Sequence, residues 1–191
     1  MSITKPPSDW HFYLALPDPQ DTREINREWT VEIKNTLSYA GQEFTFREPV
    51  SIWVEGYWTK PHFFLQIGIT GKAEVPCSRC LELTEVAIKG QFSYLYGLAS
   101  EIEGKDDKSA DDESLVSINS WKSVLDIKDQ VWECLILLLP EKVLCKEGCK
   151  GLCPVCGANL NLTDCNCRQE DIDPRLSVLR DISKESGESD Q

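Results

Sequence analysis

Eight of the nine cysteines in this 191-residue chain fall into four close pairs: Cys77/Cys80, Cys145/Cys149, Cys153/Cys156 and Cys165/Cys167. Thiols at such spacings can form disulfides, exchange electrons as redox dithiols, or hold a soft metal ion. Zinc takes four tetrahedral thiolates or imidazoles, commonly supplied by C-x2-C turns. Cys153-Pro-Val-Cys156-Gly is such a turn: proline restricts its entry, and Gly157 can adopt the left-handed conformation after the second ligand. With Cys165-Asn-Cys167 it makes C-x2-C-x8-C-x-C, a short zinc-ribbon-like segment whose loop, GANLNLTD, is rich in turn formers. Cys77, Cys80, Cys145 and Cys149 then remain for a second ion. Closing so long a loop costs on the order of 4 kcal/mol, against roughly 10–16 kcal/mol from structural zinc. A rival partition joins Cys145, Cys149, Cys153 and Cys156, and leaves Cys77, Cys80, Cys165 and Cys167 for the other site. The first keeps the ribbon self-contained and is the one expected. Two zinc ions are predicted, with iron the runner-up because all-sulfur tetrahedra suit it too.

The elements that must carry these thiols follow from periodicity. WTVEI (Trp29–Ile33), SIWVEGYW (Ser51–Trp58), HFFLQIGITGKAEV (His62–Val75) and EVAIKGQFSYLYG (Glu85–Gly97) read as strands, with turn signals at AGQ and TKP. Successive strands without intervening helices imply an antiparallel, curled or barrel-like sheet. CSRC sits between the last two strands, whereas thioredoxin-like dithiols open a helix in a βαβ unit, so redox chemistry is disfavoured there. Residues 126–139 read as a helix capped by Asp126, with Ile127, Val131, Cys134, Leu135 and Leu138 on one face, stopped by Pro140. Cys134 belongs to that apolar stripe and is expected to be a small core hydrophobe. The fold class is therefore α+β, with residues 1–140 a strand-rich domain containing an acidic loop at 101–114. Residues 141–170 form the cysteine-rich segment. A C-terminal helix spans 171–183, with Asp173 as cap, Pro174 at its first turn and Leu176, Leu179 and Ile182 inward, before a disordered tail at 184–191.

Composition narrows the chemistry. The first twenty residues lack a basic n-region and a long apolar run, so no signal peptide is expected. No apolar stretch approaches the roughly 20 residues that span a bilayer, and no membrane partner is expected. A reducing cytoplasm follows, where stable disulfides are rare, and nine is an awkward count for complete pairing. The net charge of −12 disfavours broad nonspecific binding to nucleic acid. Eight thiolates add more negative charge than two zinc ions remove. Arg79, Lys142, Lys146, Lys150 and Arg168, all beside ligands, are expected to compensate locally; a small basic patch touching RNA is the alternative.

CSRCL in a strand-rich domain, then LILLLPEKVLC and CKGLCPVCGANLN followed by C-x-C, resembles the bacterial YceD family, also called the large ribosomal RNA subunit accumulation protein family. The resemblance covers about Thr30 to Asp181. It implies a role in synthesis, processing or stability of large-subunit ribosomal RNA, with the pre-ribosomal large subunit as partner, through ribosomal proteins or ribosomal RNA. Some relatives look to keep the first C-x2-C without the ribbon, which supports pairing Cys77 and Cys80 with Cys145 and Cys149. The alternative is a zinc-dependent or carboxylate-based RNA-processing enzyme. Catalytic zinc keeps an open position and a nearby base, but the cysteines fall into two closed sets. The only histidines, His11 and His62, sit in strand-like or edge settings. No catalytic residue is expected, and the sequence is silent on oligomeric state.

Overall fold

The computed structural model describes residues 5–21, 23–102 and 115–167, the side chains of Glu101 and Ile102 excepted. The chain divides into two compact units, Met1–Cys145 and Lys146–Gln191. Among the described residues of the first, nine strands and two helices follow in the order β1 (Tyr13–Ala15), β2 (Ile25–Val31), β3 (Leu37–Tyr39), β4 (Gln42–Phe44), β5 (Val50–Thr59), β6 (His62–Pro76), β7 (Leu83–Leu98), α1 (Ala99–Ile102), β8 (Leu115–Ile118), β9 (Val124–Asp126) and α2 (Lys128–Leu137).

Three of the four periodic stretches are strands β5, β6 and β7, while Trp29–Ile33 overlaps β2 only at Trp29–Val31, β2 beginning at Ile25. The four pair antiparallel in the order β2–β5–β6–β7, with β8 added at the far edge. The sheet is open: its order is linear, with β2 and β8 as opposite edges, and it is mixed, because β8 runs parallel to β7. A parallel neighbour needs a connection of a dozen residues or more, and the stretch from Ala99 to Ser114 is long enough. Two small sheets, β1–β9 and the β3–β4 hairpin at Ala40–Gly41, complete the unit. Ala40 and Gly41 both have positive φ, as a tight two-residue hairpin turn requires.

Alternation places one face of the large sheet in the core. Ile52 faces Ile69, Val54 faces Ile67 and Leu65 faces Tyr94 across the strands, and all six are buried. Helix α2 contributes Val131, Trp132, Cys134 and Leu135 to the same core. Gly90 on β7 admits the helix end, since a Cβ there would lie 2.3 Å from Leu138 Cδ2.

The helix begins two residues later than expected. Asp126 ends β9 opposite Tyr13, and its carboxylate accepts from Lys128 N–H at 3.1 Å. Ile127, fully buried and donating its N–H to Phe12 O, takes the cap position instead. Tertiary packing has displaced the polar cap. Most of the acidic 101–114 stretch, the 171–183 helix and the 184–191 tail lie outside the described residues. No helix among the described residues is long and apolar enough to cross a membrane.

Candidate metal centres

The long β6–β7 hairpin carries the first cysteine pair at its tip. Cys77 N–H donates to Glu82 O at 2.8 Å and Leu81 N–H to Cys77 O at 3.0 Å, which closes a knuckle over Cys77–Leu81. Leu81, after the second cysteine, sits at φ +63 with its side chain exposed. The second unit repeats the device. Gly157 N–H donates to Cys153 O at 2.9 Å, and Gly157, after Cys156, sits at φ +73. The left-handed residue is free of steric cost at Gly157 and strained at Leu81.

Such a turn aims backbone N–H groups at the first sulfur. Burial pushes the Cys77 thiol up, but N–H donation from Arg79, Cys145 and Cys80 outweighs it and holds the group at about 6. Cys153 is likewise held at about 6, chiefly by the N–H groups of Cys156 and Val155. Hydrogen bonds to the charged form favour it, so each knuckle presents one sulfur ready to ligate. Crowding acts the other way on Cys167, pushed up to about 12 chiefly by its contact with Cys156. An uncompensated second thiolate is disfavoured there until a cation balances it.

The sulfurs gather in two groups. Cys77, Cys80, Cys145 and Cys149 form one, and Cys153, Cys156, Cys165 and Cys167 the other; within each group the ligand atoms lie within 4.8 Å of one another. A zinc ion with bonds of about 2.3 Å sets tetrahedral sulfurs about 3.8 Å apart, so these spacings and this donor set fit the ion. Cys80 Sγ and Cys145 Sγ stand 3.5 Å apart. The crossed partition of the cysteines is not what assembles.

Cys145 reaches the hairpin because the chain after α2 is tied to it. Ser78 N–H donates to Val143 O at 2.8 Å, and Val143 N–H donates back to Ser78 Oγ at 3.2 Å. Gln42, from the β3–β4 hairpin, donates its amide to the carbonyls of Pro140 and Glu141. In the second unit Asn161 Nδ2 donates to Cys149 Sγ at 3.3 Å, while its Oδ1 accepts from Lys150 N–H at 2.9 Å. Asn159 Oδ1 accepts from both Asn161 N–H and Nδ2 and fixes that amide. Sequence reasoning took Asn159 and Asn161 as turn formers and passed over Ser78 and Gln42. The signal available was an amide two residues from another inside a loop bounded by ligands.

Lys142, Lys146 and Lys150 are exposed, and Arg168 lies outside the described residues. Among the donors that reach sulfurs are backbone N–H groups and the Asn161 amide. Cys134 belongs to neither group: it is fully buried, its Sγ is 3.3 Å from Tyr94 Oη, and burial pushes its thiol up to about 11. His11 stacks on Tyr13 at 5.8 Å and His62 follows the β5–β6 turn; neither enters either group.

The chain is 27% identical over 132 residues to the Arabidopsis thaliana large ribosomal RNA subunit accumulation protein YCED homolog 1, chloroplastic, covering 57% of this chain and 40% of the relative. The Zea mays protein of the same name is 32% identical over 88 residues, 46% of this chain and 29% of the relative. The uncharacterized protein YlbN of Bacillus subtilis is 24% identical over 185 residues, 94% of this chain and 99% of the relative. The chain thus spans less than half the length of the plant relatives and nearly all of the bacillar one. No solved structure matches it. The family model for the large ribosomal RNA subunit accumulation protein YceD matches residues 65–183, a stretch that holds all eight clustered cysteines and more than half the chain, and the chain belongs to the YceD family.

Proposed function

We propose that this protein is a zinc-stabilised factor in the synthesis, processing or stability of large-subunit ribosomal RNA, acting by binding and not by catalysis. The relatives from Arabidopsis thaliana and Zea mays are named for large ribosomal RNA subunit accumulation. Its working place is a reducing cytoplasm, where thiolates persist, and its partner is the pre-ribosomal large subunit.

The observation that carries the reading is the pair of all-cysteine groups. Four thiolates saturate a tetrahedral ion, leaving no position for water or substrate, which is the structural and not the catalytic pattern. When bound, zinc cross-links its four sulfurs and orders the turns that carry them. Cys77, Cys80, Cys145 and Cys149 would hold one ion, and Cys153, Cys156, Cys165 and Cys167 the other. The N–H groups of each knuckle and the Asn161 amide offset the excess negative charge.

The test is sedimentation of purified holo protein with extract in which ribosomes are assembling, beside an RNA-cleavage assay on the protein alone. Migration with large-subunit precursors and intact RNA is expected. Absence from those fractions, or zinc-dependent cleavage of RNA, would refute the reading.

A further inference from the structure

The solvent face of the large sheet is unlike an ordinary polar exterior. Trp53 lies opposite Gly68 in the β5–β6 register, and a Cβ on Gly68 would fall 2.0 Å from the indole. The indole therefore packs directly over the glycine and stays half-buried. Four residues along, Tyr57 and Phe64 pack with ring centroids 5.0 Å apart. Glu28 on β2 pairs with Trp53, and Asn26 pairs with Glu55. Directly opposed residues share a face, so both carboxylates flank the indole. A depression of about 290 Å³ opens there, lined by Asn26, Arg27, Glu28, Trp53, Val54 and Glu55. Glu24, just before β2, lines another beside Tyr57, together with Asp21 and Lys60.

Charge and edge geometry say what fits. Around the indole, β2 and β5 contribute the carboxylates Glu28 and Glu55. Arg27, which also lines the depression, is the one cation there, and its guanidinium donates to Asn26 O at 3.2 Å, so the carboxylates outnumber it two to one. An indole face between carboxylates is a receptor for a guanidinium or ammonium, held by cation–π attraction and paired charge. Among the described residues β2 is also an edge strand, with seven residues and a single neighbour, so an extended chain can add to it. A second copy pairing antiparallel about the strand centre would set Glu28 against Glu28. Phosphates would meet the same carboxylates.

We infer that the β2 edge and the Trp53 face dock an extended, Arg/Lys-rich segment of a protein partner, with one cationic side chain over the indole between Glu28 and Glu55. The inference rests on the proposed function, for which it names the partner as a basic protein of the assembling subunit and not its RNA.

The test uses the full-length holo protein and three fluorescent probes: a ten-residue peptide of alternating Arg and Thr, a Glu–Thr peptide of equal length, and oligouridylate. The Arg–Thr peptide should bind saturably and slow hydrogen exchange in Ile25–Val31. Glu28→Lys with Glu55→Lys, both exposed positions, should weaken it about tenfold or more. Equal binding by that variant, protection away from β2, or oligouridylate binding that Trp53→Ala abolishes would overturn the inference. Sedimentation separates the two claims. Wild-type and charge-reversed protein migrating equally with precursors overturns the docking face alone. Wild-type protein absent from those fractions overturns the proposed function, whatever the peptide does.

Discussion

Removing the ninth thiol should cost packing and no metal. Cys134 is fully buried on α2, and Cys134→Ala deletes one sulfur, little larger than a methyl group. Transfer and cavity contributions for a group that size come to about 1–2 kcal/mol. No orphaned hydroxyl adds to this, because Tyr94 Oη keeps Glu133 Oε2 at 3.1 Å and Gln130 O at 3.5 Å. In a domain of this size that is a fall of about 3–6 °C in melting temperature. The thiol is pushed up to about 11 by burial, so it stays protonated and unreactive at neutral pH. Once metal is stripped, the eight clustered cysteines should alkylate as their turns loosen, and Cys134 last, only as fast as the core opens. Thermal denaturation, metal analysis and timed alkylation read by mass spectrometry check each part. Loss of one metal equivalent in Cys134→Ala, or nine equally fast thiols, would refute the assignment.

Three further perturbations probe architecture. Cys153→Ser should speed hydrogen exchange within Gly151–Cys167 and leave the large sheet cooperative. Cys77→Ser should loosen the β6–β7 hairpin tip and the Val143–Cys145 segment tied to it, with a fall in global stability. If Cys153→Ser exposes the Cys77–Leu81 knuckle as well, the two sites are not separate. Gly68→Ala drives a Cβ to within 2.0 Å of the Trp53 ring, so it should displace the indole, alter near-ultraviolet circular dichroism and cost about 1–3 kcal/mol. An unchanged spectrum would mean the ring does not lie on that glycine.

Periodicity made the long strands legible. β5, β6 and β7 alternate over many residues, and their ends fall within two residues of the stretches read from Ser51, His62 and Glu85. The three-residue strands β1, β3, β4 and β9 are too short to show a period; their pairing is decided by what the core presents to them. The parallel β8 follows a polar stretch from which no topology can be read. Asp126 looked like a cap because its chemistry suits one, and β9 pairing took it first. The metal groups were legible as spacings. How Cys145 reaches the hairpin was not, because Ser78 and Gln42 act over 65 and 98 residues of sequence.

Metal stoichiometry tests the central claim most directly. Protein purified without chelator should carry two zinc ions per chain by elemental analysis, released together as a thiol-reactive mercurial titrates the cysteines. Cys77→Ser and Cys153→Ser should each retain one. One zinc or none in the wild-type protein, or loss of both ions from either single variant, would contradict two separate four-cysteine centres.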